Sequence, residues 1–555
     1  MWCLPPKHVE RFKNALRSGD IDPMSLAEMS SAERRAVFEK HLGAENAEPI
    51  NAQFETKLLL KNRQMGYVSW AKKMLGENTP AGRDLISRIE RMEKLLSPAE
   101  EKAFLEDLTA RKLGTRVTAE EAGKIAELSK AVGAAKEANP NSMEYGRAAV
   151  ALRNYVSEMG RRGERFQLPN MGKYIETAAG ISKSAKAALD NSAIFRQGWK
   201  TLWTNPVIWQ RNARKTFVDL ARQFGGKNVL DEVDAEIISR PNHDLMRRAK
   251  LDIGGLEEAY PSTLPEKIPV LGRAYKASEA AYTGFSRRTR ADVFDKMIDI
   301  ANKTGVELND AELQSIGKLV NSLTGRGHLG RAEPAANIVN NVLFSPRFVK
   351  SQFDVLGGHA ISGAGGSNFV RRQAALNLLK VVGGTAAVLA TAKALKPDSV
   401  EVDPRSSDFG KIRVGDTRFD VSGGMASIIT LASRLATMSS KSSTTGKVMP
   451  LNARTRSGEP KFGAQTGKDV LYDFIENKTS PAATVALELL KGETREGGPP
   501  TVASTVRGLV EPMPVANYIE LKNNPNSANI LAAMIADGLG IGTNTYSAKK
   551  KKRTR

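Results

Sequence analysis

The side chains able to do chemistry are few and scattered. Five histidines, His8, His41, His243, His328 and His359, stand singly, with no pair at helical spacing and no zinc-protease or zinc-finger arrangement, so no metal site is expected. The single cysteine, Cys3, excludes an intramolecular disulfide framework and a cysteine-based metal cluster. The stretch "GAQTGKDV" at 463–470 imitates a phosphate loop, but one residue is missing between its glycines and Asp469 stands where magnesium needs Ser or Thr. "DGLGIGTN" near the C-terminus lacks the strand-turn-helix setting of a dinucleotide fingerprint, and its glycines read as a helix stop. Neighbouring acids such as Glu100 and Glu101, or Glu257 and Glu258, belong to solvated helix faces. A glycosidase would have to hold two carboxylates about 5 to 10 Å apart, which sequence spacing does not supply. Asp403, Asp408, Asp416 and Asp420 miss the calcium-loop spacing and suit turns and salt bridges. No catalytic residue, metal or cofactor is expected.

Function in such a chain falls to surfaces and packing. Its 555 residues have room for several domains, and 41% apolar with only 6% aromatic residues favours helices packed by aliphatic side chains. Lysine and arginine number 82 against 61 acids, a net charge of +21 that draws the protein toward a polyanion, either nucleic acid or an anionic membrane. The N-terminus turns charged at once and lacks an apolar core of signal-peptide length, so a cytoplasmic origin is expected.

Helix punctuation is clearest near the N-terminus. Asp22-Pro23, Ser30 with Glu33, Ser97 with Glu100, and Thr118 with Glu121 read as helix starts, and Gly114 as a stop. Farther on, Trp199, Trp203 and Trp209 interleave with Arg196, Lys200, Arg211, Arg214 and Lys215. A nucleic-acid stacking platform has this composition. The spacing favours a different arrangement, with the aromatics in a helix core and the basic side chains in water. A glycine-rich loop then leads into "QAALNLLKVVGGTAAVLATAKALK". The uncharged run between Lys380 and Lys393 reaches roughly 18 Å as helix against a bilayer core of roughly 30 Å, so a buried core helix is predicted. Gly383 and Gly384 permit close helix packing and are the residues expected to favour association in an oligomer or a bilayer.

The stretch "VDPRSSDFGKIRVGDTRFDVSGG" at 402–424 predicts a β-hairpin turning at Gly415-Asp416. Ile412, Val414, Phe419 and Val421 form its apolar packing face, with Lys411, Arg413 and Arg418 on the polar side. A Ser/Thr/Gly/Lys-rich linker follows over about 439–467. The terminal run Lys549, Lys550, Lys551, Lys552, Arg553 and Arg555 is the candidate nucleic-acid and anion-binding segment. The fold expected is mainly α, elongated multi-helix bundles with one short hairpin near 410–422. Its regions are 1–150 (charged helices), 170–400 (central helices with the Gly/Ala-rich apolar helix), 401–546 (hairpin and C-terminal helices) and 547–555 (basic tail).

The landmarks "DNSAIFRQG", "NSLTGRGHLG", "FSPRFVKSQFD", the hairpin stretch and the closing "LGIGTNTY" resemble, in order across about 185–546, a large polyvalent protein-associated domain of tailed-phage and prophage proteins. "NAQFETKLLLKNRQMGYVSWAKKMLG" is similar to the front end of such proteins. The resemblance implies a virion-associated protein, packaged with the genome inside the capsid or near the portal and delivered into the host. It carries over no catalytic residue. The expected partners are phage DNA or another polyanion, other virion proteins, a host membrane surface and further copies of the chain. A peptidoglycan-degrading or membrane-active ejection protein, or an intracellular DNA-binding phage protein, are the alternatives.

Overall fold

The computed structural model describes residues 6–21, 23–77, 79–104, 118–164, 193–253, 271–330, 333, 336–454, 464–494, 498–511 and 513–546. The protein is 71% helical, and among the described residues its strands form two small antiparallel sheets. It divides into two compact units, residues 1–131 with 151–168, and residues 132–150 with 169–555.

Five helices lie within the first unit, α1 (Pro6–Ser18), α2 (Pro23–Glu28), α3 (Ser31–Leu42), α4 (Ala44–Leu75) and α5 (Pro80–Glu90). Two more, α6 (Ala119–Ala138) and α7 (Met143–Glu164), run through the division. The expected caps form. Glu33 N–H donates to Ser30 Oγ while Ser30 N–H donates to the Glu33 carboxylate, and Ser97 with Glu100 and Thr118 with Glu121 repeat the exchange. Asp22 and Gly114 lie outside the described residues. Phe38, Leu42, Ala47 and Ile50 close α3 against α4. Beside them Arg34 is buried without an orphaned charge, because it donates to Leu26 O, Met29 O, Asn51 and Glu55.

From residue 193 the second unit runs through a π-helical turn (Ala193–Gln197), α8 (Trp199–Thr204), α9 (Pro206–Phe224), α10 (Val229–Ile238), α11 (His243–Arg248), α12 (Leu271–Lys303), α13 (Asp310–Leu323), α14 (Ala336–Val342) and α15 (Pro346–Phe353). A second π turn (Asp354–Gly358) leads to the kinked α16 (His359–Gly366) and the long α17 (Asn368–Leu395). The main core gathers Val233 and Ile237 of α10, Phe294 and Met297 of α12, Ile316 and Val320 of α13, and Val370 of α17. Helix α12 also carries a buried basic run. Arg287 is paired with Asp234 at 2.5 Å, and Arg288 with both Asp219 and Glu236, so each guanidinium is neutralised where it is desolvated.

Strand β1 (Lys411–Val414) pairs with β2 (Thr417–Asp420) in the expected hairpin, Ile412 facing Phe419 and Val414 facing Thr417. Helix α18 (Met425–Thr437) follows, then a second hairpin of β3 (Ser439–Lys441) and β4 (Val448–Pro450). The predicted linker therefore begins as structure, while residues 455–463 lie outside the described set. Helices α19 (Gly467–Glu476), α20 (Pro481–Lys491), α21 (Val502–Val510), α22 (Met513–Asn523) and α23 (Ile530–Gly538) lead to β5 (Gly542–Thr545), which pairs with β2 and makes the first hairpin a three-stranded sheet.

That third strand corrects the hairpin reading in two places. Arg418 is on the central strand and is buried, not on a wet side. Its guanidinium donates to Asp408 (3.2 Å), Asp416 O (2.6 Å) and Tyr546 O (2.7 Å), and stacks 3.9 Å from the centre of the Tyr546 ring. Val414 is 47% exposed. It ends β1 on the edge strand, beside the turn, opposite the buried Thr417 of the central strand. Ile412 and Val421 join the cluster around Trp199 and Met425, and Phe419 is half-buried.

Candidate functional site: a sealed polar cluster and an open helix face

The tryptophans pack inward. Trp199 and Trp203 meet edge to face at 5.4 Å, Trp209 packs on Phe195, and Trp199 Nε1 donates to Thr385 Oγ1 at 2.9 Å. Lys200 departs from the expected wet side, being only 1% exposed. In a six-residue helix both of whose sides meet neighbours, the position after Trp199 also points inward. The Lys200 amine donates to Ser322 O (2.7 Å) and Ser351 Oγ (3.0 Å).

Around it the π turn and α16 bring Asp354 and His359, far along the chain from Lys200. Ser322 Oγ donates its proton to Asp354 Oδ2 at 2.9 Å, and Lys350 pairs with the other carboxylate oxygen. His359 Nε2 lies 3.0 Å from Ser322 Oγ. The Ser322 hydroxyl thus stands between carboxylate and imidazole, with Asp354 on the hydroxyl itself and not on the far side of the ring. Serine, histidine and aspartate together suggest a hydrolase, but the wiring is reversed. A nucleophilic serine gives its proton to histidine, and aspartate holds the far side of the ring. Here the carboxylate takes the serine proton directly, and all three side chains are buried away from any substrate. The cluster pins the segment 354–366 against α8, α13 and α15. This segment carries the left-handed Gly363, Ala364, Gly365 and Gly366 that turn the chain into α17.

Burial pushes the Lys200 amine down to about 7 from its ordinary 10.5, while Asp354 pulls it back up. Burial likewise holds the His359 imidazole below its usual value, against the pull of Asp354. Between pH 7 and 10.5 the unfolded chain binds the Lys200 proton and the native protein does not. Stability from this group is therefore complete above that window and is lost as pH falls through it. Relative to Lys200→Met, which has no such proton, the native protein should gain about 3 to 4 kcal/mol as pH is raised from about 7 to about 10, read from urea midpoints. A difference that does not change with pH would refute the depressed amine.

Helix α17 departs from the predicted buried core helix. Val370, Ala374, Asn377 and Val381 face inward, and Ser367 caps the N-terminus by accepting from Val370 N–H at 2.9 Å. The opposite face is open: Leu376 is 42% exposed, Leu379 70% and Val382 51%, with Ala386, Ala387 and Ala390 also exposed. At 28 residues it extends well beyond its uncharged run, and among the described residues it is the one helix long and apolar enough to cross a membrane by length and composition. The two glycines part company on it. A Cβ on Gly383 would meet nothing within 4 Å, whereas one on Gly384 would lie 2.1 Å from the Trp203 ring, so Gly384 is already used for packing inside the chain.

The remaining chemical candidates resolve into structure. Thr466 and Asp469 of the phosphate-loop mimic form the capping box of α19. Asp403 pairs with Arg405, Asp408 with Arg418, and Asp420 accepts from Ser422. Among the described residues no three His, Cys, Asp or Glu side chains gather as a metal site. A groove of about 310 Å³ beside α9, α10 and α12 is lined by Asp219, Glu232, Glu236, Lys215, Arg222 and Arg288, which neutralise one another in pairs. The basic tail, Lys549 to Arg553 and Arg555, lies outside the described residues. No family model matches the chain, and neither curated proteins nor solved structures yield a match.

Proposed function

We propose that this is a virion-associated protein of a tailed phage, packaged inside the particle, which acts as a helical body contacting polyanions through charge. One observation carries the domain-level part of this reading. The landmark stretches that resemble the phage domain, though up to 350 residues apart, interlock in one fold. Phe195 N–H donates to Leu539 O at 3.1 Å and Gly327 N–H to Arg347 O at 2.9 Å; Tyr546 closes on Asp408, Asp416 and Arg418. Stretches that build one core together would meet in this way. The charge of +21 supports contact with packaged DNA or an envelope surface, since release of counterions favours phosphate binding without base readout. The sealed wiring of Ser322, Asp354 and His359 argues for a packing role at that cluster.

Mass spectrometry of purified particles before and after triggered DNA release tests the proposal. Presence before release is the expected result, and loss afterwards would mark delivery into the host. Absence from particles would overturn the reading.

A further inference from the structure

We infer that the open face of α17 is a lipid-docking surface that lies on an anionic phospholipid bilayer. The inference deepens the charge-contact reading above by naming the partner of one face. At 100° per residue, Ala375, Leu379, Val382, Gly383, Ala386 and Ala390 share one side of the helix. Arg372 and Lys393 end that same side. Lys380 and Arg371 flank it, and Lys396 follows the last turn. The apolar stripe between Arg372 and Lys393 is about 30 Å long at the rise of an α-helix.

An apolar face edged with cations is what an interfacial helix presents to acidic headgroups, with the apolar side chains in the acyl boundary and the amines among the phosphates. Charge chooses between occupants. The helix contributes no Asp or Glu. A second copy docked on this face would set five cations against five cations, whereas an anionic bilayer neutralises them. The opposite side stays in the fold, since Gly384 is seated on Trp203 and Thr385 accepts from Trp199. The helix therefore lies on the surface and does not cross it.

The test is flotation of the full chain with vesicles of phosphatidylethanolamine and phosphatidylglycerol, against vesicles of phosphatidylcholine, at physiological ionic strength. Binding to the anionic vesicles is expected, and Leu379→Glu should weaken it roughly tenfold by placing a repelled charge in the stripe. The double variant Arg372→Glu/Lys393→Glu, altered only at exposed positions, should weaken it by a similar factor. It also gives the reading if Leu379→Glu melts early. Leu490→Glu, at a still more exposed leucine on α20, should leave binding unchanged. Equal binding by native protein and both α17 variants would overturn the inference and assign vesicle contact to other basic segments. A loss of self-association in Leu379→Glu with vesicle binding intact would overturn it in favour of a second copy. Particle content is measured independently of lipid, so failure here leaves the virion proposal standing, and absence from particles leaves the lipid result readable.

Discussion

Replacing Asp354 by Asn should cost the second unit about 3 kcal/mol, one of the two largest single-site losses expected in this protein. The substitution keeps the shape and removes the charge. Ser322 Oγ then faces an amide and not a carboxylate, Lys350 loses its ion pair, and the buried Lys200 amine and His359 ring lose the one carboxylate that favours their charged forms. Because a desolvated cation without a counterion is the dominant cost, removing the cation should return part of the loss. Lys200→Met combined with Asp354→Asn is therefore expected to be more stable than the sum of the two single changes by at least about 1 kcal/mol at about pH 5, where the native amine is charged, and by only a few tenths at neutral pH, where it is half-charged. Urea unfolding of the four proteins measures this. Additive effects would show that Lys200 and Asp354 are not electrostatically linked, and a neutral Asp354→Asn would mean that the cluster does not hold the 354–366 segment.

The sequence announces the elements whose causes are local. Ser30 with Glu33 and Thr118 with Glu121 signal helix starts because the capping exchange needs only four consecutive residues. The β1–β2 turn is equally visible, since Gly415 takes the left-handed backbone that a two-residue connection demands. Residues decided by distant partners stay hidden. Arg418 looks like a wet cation until β5, from more than a hundred residues later, turns its strand into a central one and leads into Tyr546, whose ring covers the guanidinium. β5 itself, "GTNT", has no apolar alternation, so its strand character comes from its partner's edge.

The same limit governs the candidate sites. Lys200 between two tryptophans reads as the polar side of a helix, because nothing in "GWKTLW" says that both sides of so short a helix will be covered. Asp354 and His359 stand at opposite ends of one π turn, a connection no helical spacing announces, and Ser322 comes from a separate landmark earlier in the chain. Helix α17 errs in the other direction. Its Gly/Ala/Val-rich sequence predicts a core, but only the side carrying Val370, Ala374, Asn377 and Val381 is covered, and Ala375, Leu379, Gly383, Ala386 and Ala390 are left outside. Composition records apolarity without recording which neighbour, if any, covers it.

The two adjacent glycines of α17 should respond in opposite senses. Gly383→Ala is expected to stabilise the protein by about 0.5 to 1 kcal/mol, because a methyl group enters open space and the unfolded chain loses the freedom that glycine gives it. Gly384→Ala is expected to cost about 3 kcal/mol. Its methyl would stand 2.1 Å from the Trp203 ring, and the ring has little room to yield, since it meets Trp199 edge to face and Trp199 is tied in turn to Thr385. Thermal unfolding followed by tryptophan fluorescence reads both changes, and the sign is the decisive quantity. Equal effects at the two positions would mean that α17 does not sit on Trp203 and that its inner and outer faces are wrongly assigned. Opposite signs would fix which side of the helix is held by the fold. Gly383→Ala should then also keep vesicle binding, since an added methyl extends the apolar stripe without changing its charge.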